Sequence, residues 1–172
     1  MSVQIRNNVQ VTGAGAVTMV FVHGFGCDQT MWRFLAAGFQ DRYRVVTYDL
    51  TGSGGSDKAA YDRDKYASLH GHAADLLEII DQFAEGPTVV IGHSVGATIG
   101  MLATVAAPRR FVAQAMVAPS PCYINDGDYV GGFSREDIHE LLDTMEANYL
   151  GWSQSLAPAI MGAPNRPDLR EE

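Results

Sequence analysis

Gly92-His93-Ser94-Val95-Gly96 is the segment of this chain best equipped to do chemistry. A serine flanked by glycines sits between an apolar run, Thr88–Ile91, and a small-residue run, Val95–Ala107. That context predicts a sharp turn from a strand into a helix. Such a turn lifts the Ser94 hydroxyl to the C-terminal edge of a sheet. It aims the backbone N–H of Val95 at the same spot, and the positive end of the following helix stabilises negative charge developing there. The chemistry is acyl transfer through a serine nucleophile.

A second oxyanion donor is expected from the loop His23-Gly24-Phe25-Gly26, directly after Val17–Val22. The backbone N–H of Phe25 would supply it, and the Phe25 ring would line the pocket. His23 reads as structural, because in this constellation the histidine base follows the acid in chain order. A third signal, Asp49-Leu-Thr-Gly52-Ser-Gly54-Gly-Ser56, follows the run Arg44–Tyr48. It is not a dinucleotide fingerprint, since Asp57 stands where the third glycine would be, and neither Lys58 nor Lys65 completes a phosphate loop.

The elements that must position these residues alternate. Val3–Val11 and Val17–Val22 read as strands around a Gly13–Gly15 turn, and Gln29–Phe39 as a helix. Lys65–Glu85 reads as a helix with Leu69, Ala73, Leu76, Ile80 and Phe83 on one stripe, stopped by Gly86-Pro87. Val112–Val117 is a further strand. The nearly continuous apolar run Val17–Val22 fits a strand buried on both faces. Alternating β and α elements predict an α/β fold, a mostly parallel sheet with helices on both faces.

After Pro119 the character changes. Ser134 followed by Asp137 predicts a capped helix carrying Ile138, Leu141, Leu142, Met145 and Tyr149 on one face. A second helix is expected over Trp152–Met161, broken by Pro164 and Pro167. The chain therefore divides into a core over 1–119 and a helical segment over 120–172.

Composition narrows the function. Twelve Lys+Arg against twenty Asp+Glu give a net charge of −8, with no basic stripe to neutralise phosphates. Nucleic acid and anionic membrane surfaces are disfavoured as partners. The polar start has no apolar stretch of a secretory signal, and Cys27 and Cys122 fit no zinc or disulfide pattern, so a reducing cytoplasm is expected. No metal and no cofactor is expected: His70 and His72 are two apart, and His139-Glu140 is not a zinc motif because position 143 is Asp.

The order of HGFG, D-x-x-G-x-G-x-S and GHSVG resembles an α/β-hydrolase. More narrowly, Phe25–Gln29, Gly92–Ala97, Pro119–Tyr123 and Gly131–Phe133 resemble the RsbQ-like group, relatives of the strigolactone and karrikin receptors. The resemblance implies that Ser94 is the nucleophile and that Phe25 and Val95 are the oxyanion donors. It also implies a helical lid from about Tyr123 onward. Phe133, Leu142, Met145, Tyr149 and Trp152 would roof an apolar pocket.

The family's triad runs Ser, Asp, His, with the acid after a late strand and the histidine near the C-terminus. No further β-rich run follows Val117 here. The expectation is a chain that ends within the lid, lacking the last strands together with the catalytic acid and histidine. Asp126 or Asp128 with His139 has the right order, but His139 falls on the polar side of its helix. Without later strands, Val112–Val117 becomes an exposed apolar edge that invites dimerisation.

Three functions compete. The first is a serine hydrolase of small apolar esters or lactones. The second is a ligand-sensing signalling module, which by resemblance would act in stress signalling with a partner phosphatase. The third is an inactive truncated homologue.

Overall fold

The computed structural model describes residues 2–162, 165 and 166, with side chains described for all of these except 157–161. The expected breaks at Pro164 and Pro167 lie outside the described residues. The chain falls into two compact units, the first reaching to Pro121 and the second beginning at Cys122. This boundary lies two residues beyond the one expected at 119/120.

The first unit is built on a five-stranded sheet. Its strands are β1 (Gln10–Thr12), β2 (Thr18–Val22), β3 (Arg44–Thr47), β4 (Thr88–His93) and β5 (Phe111–Val117). They lie in the order β1-β3-β2-β4-β5. The pairs β2/β3, β2/β4 and β4/β5 are parallel, and β1 alone runs antiparallel, on β3. All five residues of β2 are buried, as its unbroken apolar run requires.

Helices cover both faces. Val20 and Val22 of β2, with Val46 and Val90, pack on Leu76 and Ile79 of α3 (Leu69–Phe83) and Ile99 of α4 (Val95–Ala106). The alternate residues Met19 and Phe21 face the other way, onto Trp32 and onto Ala36 of α2 (Arg33–Ala37). The period-2 alternation of one strand thus feeds two cores.

In the first unit the sequence reading needs correction in three places. Val3–Val11 is not one strand: Val3–Arg6 is a helical turn, α1, capped by the Ser2 side chain on the Ile5 N–H. Val3 and Val9 are buried but Ile5 is 65% exposed, so the apparent alternation has no single face. Asn8, at φ 47°, turns the chain between the helical turn and β1. Gln29–Phe39 is a 3-10 turn (Gln29–Trp32) followed by the short α2. The helix expected over Lys65–Glu85 begins only at Leu69, after a separate 3-10 turn at Lys65–Ala67. Gly71 lets α3 press against the Lys65 carbonyl, where a Cβ would collide. α3 also ends at Phe83, before Gly86-Pro87.

In the second unit, α5 (Arg135–Ala147) opens with a full capping box. The Ser134 side chain accepts from the Asp137 N–H, and the Asp137 carboxylate accepts from the Ser134 N–H. α6 spans Tyr149–Met161 and packs on α5, so Tyr149 opens the second helix instead of lying on the face of α5, and that helix starts before the expected Trp152: α5 stops at Ala147, and Asn148, at φ −157°, breaks the helical run between them. No helix among the described residues is long and apolar enough to cross a membrane.

β5 pairs with β4 along one side, and among the described residues its other side has no strand partner. Val112, Met116 and Val117 are 64%, 42% and 44% exposed.

Candidate active site

The sheet topology locates a site before any side chain is considered. From β2 the chain moves to β3 on one side, then crosses to β4 on the other. Ligands in open parallel sheets bind outside the strand C-terminal ends at such a reversal. The residues there are Val22–His23, leaving β2, and His93–Ser94, leaving β4.

Ser94 stands between β4 and α4 at φ 54°, ψ −122°, a conformation non-glycine residues rarely adopt. Its N–H donates to the Val117 carbonyl at 2.9 Å, and its carbonyl accepts from the Ala97 N–H at 3.0 Å. Both ends of the turn are therefore tied, one to β5 and one to the first turn of α4. The flanking glycines are required by space. A Cβ on Gly96 would run into the Val22 and His23 carbonyls, and one on Gly92 would meet the Ala97 backbone. Val95 begins α4, as expected.

The loop after β2 is fixed by His23, which is fully buried. Its Nε2 accepts from the Leu50 N–H at 2.9 Å, so that nitrogen carries no proton. The proton therefore sits on Nδ1, which donates to the Gly24 carbonyl at 2.8 Å. Burial pushes the ring's pKa below the ordinary histidine value, against smaller raising effects of the Gly24 carbonyl, Asp49 and Asp28. With both nitrogens engaged, His23 is structural, as its place in the chain implies. Phe25, next in the loop, is 55% exposed. A Cβ on Gly24 would lie 2.6 Å from His93 Nδ1, so the loop and the Ser94 turn are closely packed. Burial lowers the pKa of His93 as well.

Asp49 and two polar residues that sequence reasoning missed, Asn7 and Asp75, hold the Asp49–Ser56 loop. Asp49 accepts from the Gln29 N–H, the Gly55 N–H and Asn8 Nδ2, each at 2.8 Å. The Asn7 side chain, fully buried, donates to the Asp49 carbonyl and to Thr51 Oγ1. Asp75, 1% exposed, accepts from Thr51, Tyr66 and Lys65 and forms an ion pair with Arg6 at 3.1 Å. Burial raises the Asp75 pKa, but the bonds from Lys65, Thr51 and Tyr66 and the charge of Arg6 outweigh it and hold the carboxyl below its usual range. Asp49 had a sequence signal, its place at the head of a glycine-rich turn. Asn7 and Asp75 had none.

The remaining expected residues lie in the second unit. Tyr149 and Trp152 meet at 5.8 Å between ring centroids. Trp152 is buried and, with Leu141, lines a hollow of about 270 Å³ between α5 and α6. Met145 is half-buried, whereas Phe133 and Leu142 are each 39% exposed. His139 is exposed on α5. A hollow of about 430 Å³ in the first unit is lined by residues that include Gln10, Gln29, Trp32 and Thr47, and not by Ser94, Val95 or Phe25. Among the described residues, no group of three His, Cys, Asp or Glu side chains could hold a metal ion. Cys27 is half-buried, with its thiol pKa pushed up by burial and by Asp28, and Cys122 is exposed.

A parallel sheet with a tied serine turn at its topological reversal defines the class, a hydrolase-type α/β fold. The chain belongs to the alpha/beta hydrolase family, which it matches over residues 19–171. It is 39% identical over 160 residues to the Karrikin insensitive 2 receptor CA of Petunia hybrida, covering 93% of this chain and 59% of that protein. It is 37% identical over 164 residues to the Strigolactone esterase D14 of Arabidopsis thaliana, covering 95% and 61%. Among solved structures, a hydrolase from Oleispira antarctica superposes with a TM-score of 0.85 at 40% identity, covering 98% of this chain and 62% of that one. The chain thus spans about three fifths of the length of these relatives.

Proposed function

We propose that this chain carries the nucleophile and oxyanion loop of a serine hydrolase acting on small, fairly apolar esters or lactones. The observation that carries the reading is the backbone of Ser94, at φ 54° and ψ −122° between β4 and α4. Strain of this kind, worth on the order of 1–3 kcal/mol, persists where the surroundings impose it and is concentrated at functional sites. In the proposed reaction Ser94 Oγ adds to the ester carbonyl while the N–H groups of Phe25 and Val95 hold the oxyanion. The alkoxide departs with the proton lost from the hydroxyl. Water then adds to the acyl-serine, releasing the acid and restoring the hydroxyl.

The test is hydrolysis of a p-nitrophenyl ester, with mass spectrometry of the acyl intermediate. The expected result is turnover together with an acyl adduct on the peptide containing Ser94, both lost in Ser94→Ala. Turnover that survives in Ser94→Ala would overturn the assignment.

A second reading is favoured by the likeness to a protein named as a karrikin receptor. Here the site binds a small apolar ligand and turnover is incidental. Ligand binding retained in Ser94→Ala, measured by calorimetry, supports it.

A further inference from the structure

We infer that Asp49 is the positioning residue of the oxyanion loop Gly24–Asp28, holding the Phe25 N–H in place without itself meeting the reacting atoms. The inference rests on the reading of Phe25 as an oxyanion donor.

The loop is fastened at both ends to two consecutive residues. At its start, His23 Nε2 accepts from the Leu50 N–H at 2.9 Å. At its end, the Gln29 N–H donates to Asp49 Oδ1 at 2.8 Å. Gln29 opens a 3-10 turn, and the first N–H groups of a helical turn have no partner within it. The Asp28 side chain takes the Thr30 N–H, so the Gln29 N–H depends on a carboxylate 20 positions away. The Gln29 side chain strengthens the same anchor, donating to the Asn8 carbonyl at 2.9 Å and accepting from Thr47 Oγ1 at 2.7 Å. Between the anchors, the Cys27 N–H donates to the Gly24 carbonyl at 3.3 Å and closes a turn around Phe25 and Gly26. A closed turn held at both ends passes a displacement of Gln29 on to the Phe25 N–H.

Asp49 suits this role. At 1% exposure it is too buried to meet a substrate. Its Oδ2 accepts from the Gly55 N–H and from Asn8 Nδ2, each at 2.8 Å, which fixes Oδ1 toward Gln29. Gly54, at φ 49°, permits the approach: a Cβ there would lie 2.6 Å from Asp49 Cγ and 2.7 Å from Asp28 Cβ. An amide at position 49 accepts through one oxygen only, so Asp49→Asn has to give up either the Gln29 bond or the two bonds of the other oxygen.

The experiment combines p-nitrophenyl acetate hydrolysis with backbone amide order parameters from NMR. In Asp49→Asn, kcat should fall about tenfold with KM within about twofold, because the oxyanion contact is made in the transition state and losing such a donor outright costs about 10²–10³. The order parameters of Phe25 and Gly26 should fall from about 0.85 toward about 0.6, while those of β2 hold. Gln29→Pro removes the donor and leaves the carboxylate intact. Proline suits the first position of a helical turn, and Asp28 before it is extended at φ −135°, ψ −178°. Gln29→Ala loses the same side chain but keeps the N–H, so the proline variant should match Asp49→Asn and the alanine variant should be faster. Ser56→Ala loosens the tip of the Asp49–Ser56 loop, where Ser56 Oγ accepts from the Gly52 N–H at 3.1 Å, and should keep the wild-type kcat. An unchanged kcat in Asp49→Asn, a loss carried by KM alone, equal rates in Gln29→Pro and Gln29→Ala, or an equal loss in Ser56→Ala would each overturn the inference. A wild-type chain without turnover counts against the hydrolase reading, and the order parameters of Phe25 and Gly26 then decide the role of Asp49: unchanged values in Asp49→Asn and Gln29→Pro overturn it.

Discussion

His23 Nε2 accepts the Leu50 N–H at 2.9 Å, so one buried ring ties the loop after β2 to the loop after β3. The ring has to be neutral to do so, and burial lowers its pKa accordingly. In the unfolded chain a histidine takes up a proton near pH 6.5, while His23 in the folded chain does so only at lower pH. Stability therefore falls with acid below about 6.5, because the unfolded state binds more protons there. Urea midpoints across pH 5–8 should show this slope, reduced in His23→Ala. That variant also leaves the Leu50 N–H without its acceptor, costing about 1–3 kcal/mol before any cavity is counted.

The Ser94 backbone leads to a prediction in the opposite direction. Ser94→Gly relieves the positive-φ strain that Ser94→Ala retains. The glycine variant should be the more stable of the two by about 1 kcal/mol, read as a difference in denaturation midpoint. Equal stability would mean that the turn is not strained.

Asp75 is a buried carboxylate facing two cations. Asp75→Asn leaves Lys65 without its counter-charge and Arg6 with Glu78 alone, and breaking a buried pair in this way costs about 3–5 kcal/mol. The lower end applies, since the Lys65 side chain is 35% exposed. The native carboxyl titrates below its unfolded value, so its contribution is complete above about pH 4 and disappears as pH falls through the folded pKa. Acid unfolding monitored by fluorescence should start from a lower stability in Asp75→Asn and lose this component of its pH dependence.

In the second unit, Ser134→Ala removes the side-chain acceptor of the Asp137 N–H. The expected cost is about 1 kcal/mol in α5, seen as faster amide exchange at Asp137 and unchanged exchange in β2 and β4.

What could be read from the sequence followed the range of the interactions. The strand–Ser94–helix turn rests on neighbours within a few residues, and the structure forms it as expected. The same is true of the Ser134 capping box and the doubly buried β2. The segment Val3–Val11 was misread because valines at 3, 9 and 11 imitate alternation, while the isolated helical turn is set by the Ser2 cap and by Asn7, whose side chain bonds the Asp49 carbonyl 42 positions away. Asp75 was invisible for the same reason. Its partner Thr51 lies 24 positions back, and a carboxylate on a helix stripe carries no local sign of burial.

The unequal exposure of the two thiols has a practical consequence. Cys122 is exposed at the first residue of the second unit, while Cys27 is half-buried with a raised pKa. Thiolate is the reacting form, so a maleimide dye at neutral pH should attach to Cys122 well before Cys27. The native chain thus offers a preferred labelling position at the start of its second unit without any engineered cysteine.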